Sequence, residues 1–125
     1  MGEIRDYSCS CGYQKRIFVG AGLNGCNLNA MKHVFPHESE IFEQERQAGK
    51  VWTYLLSNTI VICLHCKKLE SVPCFTFQTD SEIHSFYKKE CSECGGPVIR
   101  IEDEEFVPCP ECGLKMMYSK SGRWD

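Results

Sequence analysis

Ile17, Phe18 and Val19 form a short run of β-favouring side chains at the end of a cysteine-bearing segment, so a strand is expected within 6–19. Gly20, Ala21, Gly22, Leu23, Asn24 and Gly25 break it. The pattern then turns helical. Asn27 stands where an N-cap is needed before 28–34, Pro36 interrupts, 38–48 is rich in Glu, Gln and Arg, and Gly49 supplies a stop. From Val51 onward the chain is β-like, with strands expected over 51–56, 59–62 and 74–77 and with Ser57-Asn58 and Ser71-Val72-Pro73 as connections. Residues 79–90 set Ile83, Phe86 and Tyr87 among polar groups and read as a short helix or a linker. Two more short strands, 98–101 and 106–107, flank Glu102-Asp103-Glu104-Glu105, which reads as a solvated turn.

Cysteine usage changes this picture most. Ten cysteines in 125 residues would suggest a disulfide framework in a secreted protein. The opening Met1-Gly2-Glu3-Ile4-Arg5-Asp6 has no apolar leader and does not match the myristoylation pattern, so a cytoplasmic location with reduced thiols is expected. No apolar run approaches the ~20 residues needed to span a bilayer. Metal ligation is then the better reading of the cysteines, and it would supplement the small core that a chain of this length can build.

Eight of the ten cysteines fall in close pairs. Cys91 and Cys94, then Cys109 and Cys112, are two-residue-gap knuckles followed by Gly95 and Gly113, with fourteen residues between the pairs. That spacing suits one four-cysteine site on a zinc ribbon, because each tight turn aims two sulfurs at one ion ~2.3 Å away. Cys9 and Cys11, separated by fifty-one residues from Cys63 and Cys66, are expected to form a second site with them, although Cys9-Ser10-Cys11 is one residue short of the usual knuckle. Cys26, Cys74, His33, His37 and His65 are reserve ligands for that site. Otherwise the two cysteines read as small buried hydrophobes and the histidines as surface residues.

Two Zn2+ ions are expected, with iron as the alternative metal. The fold class that follows is a small metal-bound α+β protein of zinc-ribbon β-hairpins with a helical insertion in the N-terminal half. The expected division is an N-terminal zinc-knuckle module, 1–78, carrying the insertion over 27–49, and a C-terminal zinc ribbon, 79–125.

Charge and remaining motifs narrow the function. The formal charge is −3 before any cysteine ionises, and thiolates bound to zinc make it more negative, so general attraction to nucleic acid is not expected. Lys15-Arg16, Lys67-Lys68, Lys88-Lys89, Lys115, Lys120 and Arg123 lie near knuckles and, with Tyr13, Tyr87, Tyr118 and Trp124, leave a local nucleic-acid face as a second reading. The glycine-rich stretch 20–25 has neither the phosphate-loop Lys-Ser/Thr nor dinucleotide-fingerprint spacing, and serves better as a tight connection. Cys63-Leu64-His65-Cys66 has the spacing of a thiol oxidoreductase without the strand–helix context, so a thiol- or metal-responsive switch is a third reading. A zinc held by four sulfurs has no open position, and no acid–base pair or His-Glu-x-x-His stands elsewhere. The chain is expected not to be an enzyme.

The opening knuckle, the stretch Phe18-Val19-Gly20-Ala21-Gly22-Leu23 and the closing Gly122-Arg123-Trp124-Asp125 resemble a loosely defined group of small bacterial zinc-ribbon proteins that end in a rubredoxin-like ribbon. The resemblance covers most of the chain and implies zinc binding without a named activity. The expected role is that of a protein-interaction or adaptor module with two structural four-cysteine zinc sites.

Overall fold

The computed structural model describes residues 2–22 and 27–124, and within them the chain forms β1 (Gly2–Ser8), β2 (Gln14–Val19), α1 (Leu28–Val34), α2 (Pro36–Gln47), β3 (Val51–Cys63), β4 (Leu69–Thr79), β5 (Ile83–Tyr87), β6 (Val98–Arg100) and β7 (Met117–Trp124). One antiparallel sheet has the order β2-β1-β7 and the other β5-β4-β3-β6. The result is a small α+β fold, and both sheets run across the expected division at 78/79: β5 pairs with β4, and β7 pairs with β1. Among the described residues no helix is long and apolar enough to cross a membrane.

β3 organises the molecule because its two faces serve three cores. Alternate side chains of a strand point to opposite faces. Tyr54 and Leu56 pack among Met31, Phe35, Phe42, Phe75 and Phe77 under the helices. Further along the same face Ile60 and Ile62 join Tyr7, Ile17, Val19, Leu69, Val107 and Met116, where the two sheets meet. Val61 and Cys63, on the opposite face, pack with Cys91 and Val98.

The expected break at Ser57-Asn58 is absent, and so is the one at 71–73. Asn58 instead exchanges backbone hydrogen bonds with Gly20 (3.1 and 2.8 Å), which ties β3 to the end of β2. Its N–H and C=O therefore point away from β4, so the facing Pro73 sits in a non-hydrogen-bonded pair. The proline nitrogen is left on the β5 side, where β5 has already ended opposite Cys74, so no ladder bond is lost there.

The helical insertion follows the sequence closely. The Asn27 side chain accepts from the amides of Asn29 and Ala30, Pro36 stands at the start of α2, and Gly49 has φ 73° just past its end. Phe35 turns the chain between the helices, and Phe42 packs edge-on against Tyr54, Phe75 and Phe77 with centroids 5.2–5.4 Å apart.

Other expectations are corrected. The segment 6–19 is two strands around a knuckle, 79–90 contains β5, and Phe106 and Val107 are not a strand; β7 lies where the sequence marked no element. The acidic stretch 102–105 is the crossover that carries the chain from β6 back to the β1–β7 sheet. Tyr7 donates its hydroxyl to the Glu104 carbonyl (2.9 Å), Tyr118 donates to the Glu105 carboxylate (2.7 Å), and buried Arg5 lies 4.4 Å over the Tyr118 ring and 3.8 Å from a Glu104 oxygen. These contacts anchor it, so it is more than a solvated turn. Residues 23–26 of the glycine-rich stretch, Cys26 among them, and Asp125 lie outside the described residues.

Phe42 is 1% exposed and its aromatic cluster contains no thiol among the described residues, so Phe42→Ala is expected to cost about 3–5 kcal/mol of stability without changing the bound metal per chain. Denaturant titration with elemental analysis of the same samples checks both halves.

Candidate metal centres

The four knuckles are built on one hydrogen-bond plan. In three of them the carbonyl of the first cysteine accepts from the amide four residues on: Cys63 from Lys67 (3.1 Å), Cys91 from Gly95 (3.0 Å) and Cys109 from Gly113 (2.8 Å). The donor has positive φ each time, 66°, 72° and 80°, a region that suits glycine and costs Lys67 about 1 kcal/mol. The first cysteine's own amide then closes the turn on the carbonyl of residue 68, 96 or 114. Cys9 repeats the plan one residue shorter, with Gly12 (φ 102°) donating to its carbonyl and Tyr13 accepting from its amide. The contracted spacing is therefore a shorter turn of the same kind.

The structure corrects the expected grouping of the knuckles. Cys9 and Cys11 lie with Cys109 and Cys112, while Cys63 and Cys66 lie with Cys91 and Cys94, and within each group the sulfurs are all within 4.8 Å of one another. All eight expected cysteines are brought into clusters, but the knuckles are nested: the inner pair closes inside the outer one. The fourteen residues between Cys94 and Cys109 cannot fold back as a ribbon hairpin. Val98, Ile99 and Arg100 are claimed by β3, and the chain after them is drawn to Arg5 and Tyr7 on the other sheet.

The spacing of the thiols fits a metal better than disulfides. Gaps are 3.3 Å for Cys9–Cys112, 3.6 Å for Cys11–Cys109, 3.5 Å for Cys63–Cys94 and 3.6 Å for Cys66–Cys91. A disulfide needs about 2.05 Å, whereas a tetrahedral ion with bonds of ~2.3 Å sets its sulfurs ~3.8 Å apart. Backbone amides also aim at sulfur: those of His65 and Cys66 at Cys63 Sγ (both 3.3 Å) and that of Gly96 at Cys94 Sγ (3.4 Å). Such donors favour the thiolate, the form that binds metal.

Electrostatics divide each metal-free cluster. The Cys11 amide, helped by the Cys112 thiol, lowers the Cys9 thiol to about 7. Burial pushes the Cys63 thiol up, but the Cys66 and His65 amides with the Cys94 thiol outweigh it and bring it down to about 6. The Tyr13 amide favours the Cys11 thiolate, yet the Cys9 and Cys109 thiols win and push that thiol up to about 12. At Cys66 the Lys68 amide is likewise overcome, by burial and by the Cys63 and Cys91 thiols, and the thiol rises to about 12. Cys9 or Cys63 ionises first, and Cys11 or Cys66 beside it then keeps its proton, because like charges at this spacing repel. A divalent cation removes that repulsion.

Residues outside the expected ligand set support the inner cluster. Lys68 Nζ reaches the Ser92 hydroxyl (2.9 Å) and the carboxylates of Glu70 (3.1 Å) and Glu93 (3.3 Å), and Ser92 donates to Glu70 (2.7 Å). Gly96 is required by space, since a Cβ there would lie 2.8 Å from His65 Cβ and 3.2 Å from Cys94 Sγ. Of these, only Lys68 stands out in the sequence, as part of the basic pair Lys67-Lys68 beside a knuckle; the glycine singled out there is Gly95. Among the reserve ligands, Cys74 is buried with its sulfur 3.7 Å from Thr76 Oγ1, and His33, His37 and His65 are exposed; none of them belongs to either cluster. Compared with known protein families, with characterised proteins and with solved structures, the chain shows no match.

Two measurements test the centres. Cys11→Ser/Cys112→Ser removes two ligands from one cluster and is expected to leave one metal per chain, whereas Cys11→Ser/Cys66→Ser cripples both clusters and is expected to leave none. Sequential pairing of the knuckles would put Cys11 and Cys112 in different sites, so elemental analysis of the first variant decides between the arrangements. Metal affinity is expected to fall as pH falls, most steeply below about 6–7, where Cys63 and Cys9 hold their protons and each ion competes with one proton more. A chelator-competition titration from about pH 8 to about pH 5 reads this slope.

Proposed function

We propose that each cluster holds one zinc ion as a structural centre, and that the protein is a non-enzymatic module that docks with another protein. The observation that carries this is the sorting of eight cysteines into two tetrads that, among the described residues, include no nitrogen or carboxylate ligand. Four thiolates suit zinc, with iron as the alternative the same donors would accept. Four sulfurs also leave no position for water or substrate, which speaks for a structural rather than a catalytic ion. The expected location of such a thiol-rich protein is the cytoplasm.

Charge and exposure favour a protein partner. Two zinc-bound tetrads would bring the formal charge of −3 to about −7, unfavourable for binding a phosphate backbone. Several basic side chains of the nucleic-acid reading are already engaged: Lys120 with Glu3 (3.1 Å), Arg16 with Asp6 (2.8 Å) and Lys115 over the Phe106 ring (4.0 Å). Apolar side chains are instead exposed at and beside the knuckles, with Leu64 at 48%, Phe106 and Leu114 at 60% and Met117 at 71%. Exposed apolar groups of this kind mark contact surfaces.

Capture from cytosol on immobilised, metal-loaded protein is the test. Specific proteins are expected to be retained by the native chain and lost with Phe106→Asp/Leu114→Asp, a surface change that leaves the metal content intact. Retention of nucleic acid alone, salt-sensitive and abolished by Lys115→Glu/Lys120→Glu/Arg123→Glu, would overturn the reading in favour of nucleic-acid binding.

A further inference from the structure

The two clusters differ in what holds their knuckles together when metal is taken away. At the inner cluster the β3–β6 ladder runs into the site itself: Cys63 pairs with Val98, and the Leu64 amide donates to the Pro97 carbonyl (2.9 Å). Lys68 then joins the two knuckles through Ser92 and Glu93. Two of the four cysteines are buried, Cys63 at 0% and Cys91 at 4%. At the outer cluster the β1–β7 ladder stops at Ser8–Met117, short of both knuckles. Among the described residues, the two outer turns meet through the thiols themselves and through the apolar cluster around Tyr7, Tyr13 and Met116. Cys109 alone is buried there, Cys9 is half-buried, and Cys11 and Cys112 are exposed.

Chain connectivity points the same way. The inner knuckles are separated by 24 residues, the outer ones by 97. Loop-closure cost grows only slowly with length, so this contributes less than the missing ladder and salt link, but it has the same sign.

From these differences, and resting on the reading of both tetrads as metal sites, we infer that the inner site is permanent and the outer site is exchangeable. The inner knuckles are preorganised by contacts that do not involve the ion. Each cluster has two exposed cysteines, but the outer knuckles depend on the ion for their approach and, with Cys109 alone buried, shield their sulfurs less from an incoming thiol-rich or chelating ligand. Exchange there is ligand substitution: an incoming thiolate or amine takes the place of Cys112 or Cys11 on the ion, each displaced thiolate takes up a proton or keeps its charge, and no electrons move. The outer site is thus a metal-dependent clasp between the two ends of the described chain, with the inner ribbon as its fixed support.

The experiment follows zinc released from the fully loaded protein to 4-(2-pyridylazo)resorcinol. Contacts around a metal site are commonly worth about 10–100-fold in affinity, so two phases at least about tenfold apart in rate are expected, one equivalent in each. The fast phase should be missing from Cys112→Ser and present in Cys94→Ser. Hydrogen exchange on the native chain after release of the first equivalent gives a readout that needs no variant: amides of β7 and of 108–116 lose protection while those of β3 and β6 keep it. A single phase, or first loss of protection at β3 and β6, overturns the inference while leaving two metal sites in place. A protein that binds no metal at the outset overturns the reading of the clusters and the inference with it.

Discussion

The fold depends most on the meeting of the Cys9–Cys11 turn with the Cys109–Cys112 turn, because that contact joins segments from opposite ends of the chain. β7 adds to β1 beyond it, and Val107 and Met116, which flank the second turn, complete the core between the sheets. Four thiols gathered this closely are costly to ionise together in the absence of an ion. The same arrangement would become favourable around a divalent cation, so metal binding there would be coupled to closure of the chain.

Below that level the structure is a division of work along β3. One face of a single 13-residue strand covers first the aromatic core under the helices and then the interface with the β1–β7 sheet, while its last residues supply a ligand and the wall behind it. Thiol clusters and apolar core are therefore contiguous. Cys109 belongs to the core where the sheets meet, and Cys63 and Cys91 form a core with Val61 and Val98. In so short a chain the clusters extend the hydrophobic interior where aliphatic side chains run out.

Local chemistry made the helical insertion legible: Asn27, Pro36 and Gly49 each act within a few residues of themselves. The knuckles were legible for the same reason, since a tight turn that presents two sulfurs is a local object. The long strands were less so. Ser57-Asn58 and Ser71-Val72-Pro73 look like breaks until Gly20 engages Asn58 from another sheet and the pairing places the proline nitrogen where β4 has no neighbour. β7 was hidden because Tyr118 and Trp124 are separated by Ser, Lys and Gly, residues with weak strand preference that β1 nonetheless recruits.

The pairing of the knuckles was the least legible feature, and the cause is physical. Identical turns carry no label saying which other turn completes the tetrad, so chain distance invites the nearest match, Cys94 with Cys109. Two competing interactions defeat that match. Val98 and Ile99 align with Cys63 and Ile62, which commits the 91–96 turn to the 63–68 turn. Arg5, Tyr7 and Tyr118 then hold the acidic crossover against the other sheet, which delivers the 109–113 turn to Cys9 and Cys11. A ladder of three residue pairs and a buried arginine decide the metal-site composition, though neither contains a ligand apart from Cys63 itself. Cysteine spacing in such a chain identifies the turns, and strand register assigns each turn to its cluster.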